Sequence, residues 1–295
     1  MKKVKDFNQL KTFIKNQPLV QIEPTLAGLD PSLLEQKNGS VFFGTGICTQ
    51  SQLSIGLPFD FLGMLLMSES LRQVIGLRQI FHQIADTHAL TNDFGQDKVK
   101  EAAFLLKKKC ELINRNLGLG HVQVFLASQL PNDSLRKKLS SQVAKAKVNE
   151  YVKKEVVDIE WFRQTHQVCL KIGWTIQSSE AELGNDERVF DQAHQKTFGK
   201  PISFVLLKPG RTFDKSRQKV SPYISIPGEK RLMLTKDEPV KEKIKQFSQG
   251  WEDDHWGGTR KHLRFITRLF EQLFGSLTGL SLEEKIGFII KKSLG

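Results

Sequence analysis

"QIADTHALTND", Gln83–Asp93, closes an apolar run and turns abruptly polar. With the residues before it, "LRQIFHQIAD" reads as a buried strand that ends at Asp86. Asp86 and His88 then either punctuate a strand end or belong to a ligand site, and residue type alone leaves both open. Outward from this stretch the pattern is regular. "VFFGTGI" (Val41–Ile47) is the first firm strand, bounded by Gly44 and Gly46, and a helix follows over about 59–74. Beyond Asp93, Val99, Ala102, Ala103, Leu106, Cys110 and Ile113 recur on one helical face, with Lys107, Lys108 and Lys109 in the other sector. "HVQVFLA" (His121–Ala127) alternates and gives a third strand. Strands alternating with helices predict a doubly wound parallel sheet.

The flanks are less regular. Residues 7–15 read as a short helix, followed by a proline-bearing lead-in. Asp133–Trp174 reads as helical and strongly charged, and "SFVLLKPG" (Ser203–Gly210) as a strand and loop. After Asp237 the chain reads helical, with Ser281 and Glu284 at capping-box spacing before Ile286, Ile289 and Ile290. The expected division is a lead-in over 1–40, a sheet domain over 41–235 and a small helical domain over 236–295.

Composition narrows the class. The 295 residues are 39% hydrophobic and 26% charged, ordinary for a globular protein. No apolar run reaches membrane-span length and "MKKVKDFNQLKTF" lacks a secretory core, so a cytoplasmic protein is expected. Cys48, Cys110 and Cys169 are widely spaced and form no C-x-x-C pair, which indicates neither a disulfide framework nor a metal site. The formal charge of +12 points to a polyanionic partner, nucleic acid first and phosphorylated metabolites second.

Ligands of open parallel sheets bind at the carboxyl ends of the strands. Three stretches fall at that edge. "GTGICTQSQLSIGLPF" offers Gly44, Gly46 and Gly56 with hydroxyls at Thr45, Thr49, Ser51 and Ser54, suited to a phosphate near a helix start, although it fits neither a P-loop nor G-x-G-x-x-G. The second stretch is Asp86–Asn92. The third, "KPGRTFDKSRQKVSPY", carries Lys208, Arg211, Lys215, Arg217 and Lys219, cations able to clamp a triphosphate or simply to be solvated.

In order and spacing these stretches resemble the class I aminoacyl-tRNA synthetases of the tryptophanyl/tyrosyl group, most nearly the archaeal and eukaryotic type. "IADTHALTND" is similar to that group's "ADLHA" strand end at Ala85, Asp86, His88 and Ala89. "LSIGLPFDF" stands where the family has "HIGH", and "GNDERVFDQAHQ" (Gly184–Gln195) resembles its amino-acid-reading helix start. "QKVSPYISIPGEKRLMLTKDEPVKEKIKQF" is similar to "KMSKS" and the segment after it.

The resemblance implies a Rossmann-like, HUP-type α/β fold with a small C-terminal helical domain. It also implies ATP and Mg²⁺, an aromatic amino acid and tRNA as ligands, and a homodimer. By the same resemblance Lys219 and Lys215 would act on the phosphates. Gly44, Gly46, Thr49, Ser54, Gly56 and Ser221 would bind nucleotide, and Asp86, His88, Asp186 and Glu187 the amino acid.

The departures bear on activity. Ser54 and Leu57 replace both histidines of "HIGH", which in the family donate to ATP phosphates, and Pro222 replaces the second lysine of "KMSKS". Losing one such donor costs about 3 kcal/mol of transition-state stabilisation. Three readings follow: an adenylating tRNA ligase, a paralogue that only binds tRNA, amino acid or nucleotide, or an enzyme that consumes preformed aminoacyl-tRNA as cyclodipeptide synthases do.

Overall fold

The computed structural model describes residues 3–17, 29–36, 38–46, 57–58, 60–91, 95–174, 185–207, 212–213, 219–220, 223–224, 233–234, 252–253 and 258–295. Its centre is a five-stranded parallel sheet of β1 (Ser40–Gly46), β3 (Gln79–Ala85), β4 (Val122–Leu126), β5 (Val168–Trp174) and β6 (Phe204–Leu207). The spatial order β4-β3-β1-β5-β6 starts in the middle and winds outward both ways, the doubly wound α/β arrangement expected from the sequence.

Strand residues alternate between two cores. Val41 and Phe43 of β1, Ile80 and Ile84 of β3, and Val205 and Leu207 of β6 enter one cluster. Phe42, Phe81, Phe204 and Leu206 enter the other. Burial on both faces is why these strands read as near-continuous apolar runs.

Helices α2 (Asp60–Ile75) and α4 (Gln96–Asn116) return the chain between β1, β3 and β4 along the first face. Helix α2 is buried on every side from Phe61 to Leu71, because α8 (Gly258–Phe274) lies over it with Leu263, Phe265, Ile266, Leu269 and Phe270. Helix α9 (Leu282–Leu294) seats Ile286, Ile289 and Ile290 in the same core and contacts α4, and α1 (Phe7–Lys15) adds Leu10 and Ile14. The predicted capping box at Ser281 and Glu284 is present. Cys110 is fully buried in this core, where burial pushes its thiol pKa up.

The second face carries α5 (Ser134–Val143), α6 (Glu150–His166) and α7 (Asn185–Phe198), with Leu139, Val156, Ile159, Phe162 and Phe190 against the sheet. Asp133 caps α5 through the Arg136 amide at 2.7 Å, and Asn149 caps α6 through that of Val152 at 2.8 Å.

Three readings from sequence are corrected. Asp133–Trp174 is not helical throughout: helices α5 and α6 are followed by β5, which is central to the sheet. The strand ends at Ala85 rather than at Asp86, and Asp86 opens a short helix, α3 (Asp86–Thr91). The segment after Asp237 contains β11 (Glu252–Asp253) ahead of its helices.

Short strands stand beside the main sheet. β2 (Leu57–Pro58) pairs antiparallel with β9 (Tyr223–Ile224), and β9 pairs parallel with β10 (Met233–Leu234). β7 (Thr212–Phe213) pairs antiparallel with β8 (Lys219–Val220) and with β11.

Candidate functional site

The chain diverges between β1 and β5, and in doubly wound sheets the ligand crevice opens at such a switch point, beyond the carboxyl ends of the strands. Gly44 and Gly46 close β1 there, in register with Gln83 and Ala85 of β3. Among the described residues, a Cβ added to Gly44 would meet only the Gln83 carbonyl oxygen, at 4.0 Å. Across the switch point, a Cβ on Gly173 of β5 would lie 3.8 Å from Cγ of Glu187. Glu187 is therefore buried over the end of β5, in the first turn of α7, where a carboxylate is favoured by the helix dipole.

Asp86 follows β3 and is buried. Both its oxygens are engaged by Ser128, one accepting from the backbone amide at 3.0 Å and the other from the hydroxyl. The carboxylate thus ties the end of β3 to the turn after β4.

Two further groups sit under the strand ends. On the second face, Asp158 of α6 accepts from Gln83 Nε2 at 3.2 Å and from Arg136 Nη2 at 2.7 Å and Nε at 3.2 Å. Burial raises the Asp158 pKa to about 6, partly opposed by Arg136 and Gln83. On the first face, Thr45 Oγ1 lies 2.7 Å from His82 Nε2, and the imidazole stacks on Phe43 with ring centroids 4.3 Å apart. Burial holds the His82 pKa down to about 3, so the ring is neutral.

Neither group was singled out from sequence. The available signal was two polar residues, His82 and Gln83, inside a strand that is otherwise apolar and buried. Such residues need partners, and each has one on a different face of the sheet.

Of the residues proposed from sequence, Gly44, Gly46, Asp86 and Glu187 gather along the carboxyl edge. His88 lies in α3 and Asp186 in α7, with their side chains outside the described set. Lys219 falls in β8. Thr49, Ser54, Gly56, Lys215 and Ser221 lie outside the described residues. The backbone pairing of Leu57–Pro58 with Tyr223–Ile224 nevertheless joins the stretch that follows β1 to the stretch that follows Lys219.

This α/β fold is similar to that of the tyrosyl- and tryptophanyl-tRNA synthetases. Three solved structures carry the likeness. Tyrosyl-tRNA synthetase from Aeropyrum pernix superposes with a TM-score of 0.59 at 15% identity, over 98% of this chain and 94% of that one. The Archaeoglobus fulgidus tyrosyl enzyme, crystallised with L-tyrosine, gives 0.54 at 15% identity over 99% and 100%. Tryptophanyl-tRNA synthetase from Giardia lamblia gives 0.53 at 13% identity over 97% and 87%. No family model matches the sequence, and no curated protein does. At these identities the likeness establishes the fold.

Proposed function

We propose that this chain is a diverged tryptophanyl/tyrosyl-tRNA synthetase-like protein, which binds ATP and an aromatic amino acid and acts in aminoacyl transfer to tRNA. The observation that supports the reading is the β2–β9 pairing, which joins the chain directly after "SIG" (Leu57–Pro58) to the chain directly after "KVSP" (Tyr223–Ile224). Sequence resemblance named those two stretches as the two halves of a nucleotide site.

In this reading Lys219 and Lys215 neutralise phosphate charge as pyrophosphate leaves, with Ser221, Ser54 and Thr49 as hydroxyl donors. Gly44, Gly46 and Gly56 let the nucleotide approach the backbone. Asp86, His88, Asp186 and Glu187 serve the amino-acid end, where the buried Glu187 faces the end of β5. The amino-acid carboxylate attacks the α-phosphorus, so no side-chain nucleophile is required. Mg²⁺, held mainly through phosphate oxygens, would offset their charge.

Transfer RNA is the natural polyanion for a +12 chain. The outward face of α8 supports this partner: Lys261, Arg264 and Arg268 are exposed in a helical row. No helix among the described residues is long and apolar enough to cross a membrane. A cytoplasmic homodimer belongs to the same proposal.

The test is amino-acid-dependent exchange of pyrophosphate into ATP. Exchange with tyrosine or tryptophan that is abolished by Lys219→Ala is the expected result. A second reading, a paralogue that binds without adenylating, is favoured by Pro222 at the place of the second "KMSKS" lysine, directly before β9. Absent exchange together with salt-sensitive tRNA binding would overturn the ligase in favour of that module.

A further inference from the structure

Thr45 and His82 occupy neighbouring strands on one face of the sheet. His82 is directly opposite Phe43, and Thr45 is the next residue of β1 on that face. His82 is fully buried, while Thr45 retains 5% exposure near the carboxyl end of β1. Thr45 Oγ1 bonds His82 Nε2, and the other ring nitrogen, Nδ1, is buried with no hydrogen-bond partner among the described residues.

That asymmetry selects a tautomer. Were the proton on Nδ1, a buried N–H would lack an acceptor, which is rarer and costlier than a bare acceptor. The proton therefore sits on Nε2 and is donated to Thr45 Oγ1. With its oxygen serving as acceptor to the ring, the hydroxyl hydrogen of Thr45 has to point elsewhere. No described residue accepts it. The hydroxyl becomes a fixed donor at the first strand-to-helix crossover, the place where doubly wound sheets put phosphate. Phosphate oxygens accept and never donate, so a hydroxyl held in this sense suits them and disfavours an ammonium or amide donor.

We propose that His82 is a positioning residue that turns the Thr45 hydroxyl toward a phosphate oxygen of the nucleotide bound beyond β1. The proposal rests on the nucleotide reading above and adds to it a donor pair that neither altered motif contains. Loss of a donor to a charged oxygen weakens binding about tenfold.

The test uses the full chain with MgATP and adenosine as probes, measured by calorimetry, together with nitrogen NMR of the histidine rings in the free protein. The expected result is an Nε2–H neutral tautomer at His82. Thr45→Val weakens ATP about tenfold while leaving adenosine affinity near wild type, and lowers the melting temperature because the His82 Nε2–H loses its acceptor; Thr45→Ser restores both ATP affinity and melting temperature. His82→Leu weakens ATP to a similar degree and adds little to Thr45→Val in the double variant. An Nδ1–H tautomer, full ATP affinity in Thr45→Val, or equal loss of ATP and adenosine would each overturn the proposal. A wild-type chain that binds no ATP would remove the nucleotide reading and this proposal together. The tautomer is read without ligand, so it separates failure of the pair from failure of the site.

Discussion

Replacing Arg136 by methionine removes the cation that faces Asp158 and keeps most of the aliphatic volume. In the wild-type chain burial raises the Asp158 pKa from 3.8 to about 6, with Arg136 and Gln83 holding it back. A carboxyl whose folded pKa exceeds its unfolded value keeps its proton longer when folded. Stability from this group is therefore full below pH 3.8, falls as pH rises through the folded value, and levels above it. The span amounts to about 3 kcal/mol.

Without Arg136 the folded pKa moves higher still, and the decline continues past the pH at which the wild type has levelled. Between about pH 5 and about pH 8 the variant is expected to lose roughly 3 kcal/mol more than the wild type. Urea unfolding of both proteins across that range measures it. A difference between the two that stays constant with pH would refute the reasoning, because it would mean that Arg136 stabilises by packing alone. Asp158→Asn in the Arg136→Met background should flatten the slope again.

Two other perturbations probe the frame. Glu69 of α2 is buried and accepts from Arg72 Nε and Nη2, both at 2.8 Å, from Gln73 at 2.7 Å and from His121 at 2.5 Å. Burial pushes its pKa up, but these bonds outweigh it and bring the value from 4.5 down to about 2. Glu69→Gln should cost about 3 kcal/mol at neutral pH. The wild type's advantage should shrink as pH falls from 4.5 toward 2, and an advantage unchanged over that acid limb in circular-dichroism melts would count against the clamp. A Cβ at Gly39 would lie 2.6 Å from Cys169 Sγ and 2.9 Å from the Gln36 carbonyl oxygen, so Gly39→Ala should destabilise by about 1–3 kcal/mol. Cys169→Ala should recover part of the loss, and no recovery would place the conflict at the backbone instead.

Why β5 escaped sequence reading has a definite physical cause. Ser40 pairs with Val168 and Val41 with Leu170, so Cys169 is an extra residue in the strand. Val168 faces one core, and Leu170 and Ile172 face the other. The period-2 pattern is broken near its start. Lys171 then adds a charge in mid-strand, tolerated because it pairs with Glu155 and lies 4.1 Å over the Phe190 ring. Preceded by the charged helix α6, this stretch looks like more of the same. By contrast β1 and β6 were legible as nearly continuous apolar runs, β3 as an apolar run interrupted by His82 and Gln83, and β4 through its alternation. The site was legible as an edge, through Gly44, Gly46, Asp86 and Glu187. The buried pairs beneath it were not, since partners such as Gln83 and Asp158 are far apart in sequence and meet only across the sheet.

The edge has a scaffold side and a side that the proposed function would use, and Asp86 belongs to the first. Its oxygens hold the amide and hydroxyl of Ser128, so it fixes two strand ends whatever the chain binds. An ionised carboxyl offers about four acceptor sites, so the same group can still receive an ammonium. Packing therefore accounts for a carboxylate here by itself, and under the proposed function the same group would also serve the ligand. By resemblance, Ser54, Leu57 and Pro222 stand where the family has residues that touch phosphate. The pairing of Leu57–Pro58 with Tyr223–Ile224 joins the chain that follows "SIG" to the chain that follows "KVSP", as the proposed nucleotide site requires. Under the proposed function, that pairing and the Thr45–His82 contact would both serve to hold a phosphate, and pyrophosphate exchange measures whether adenylation accompanies that binding.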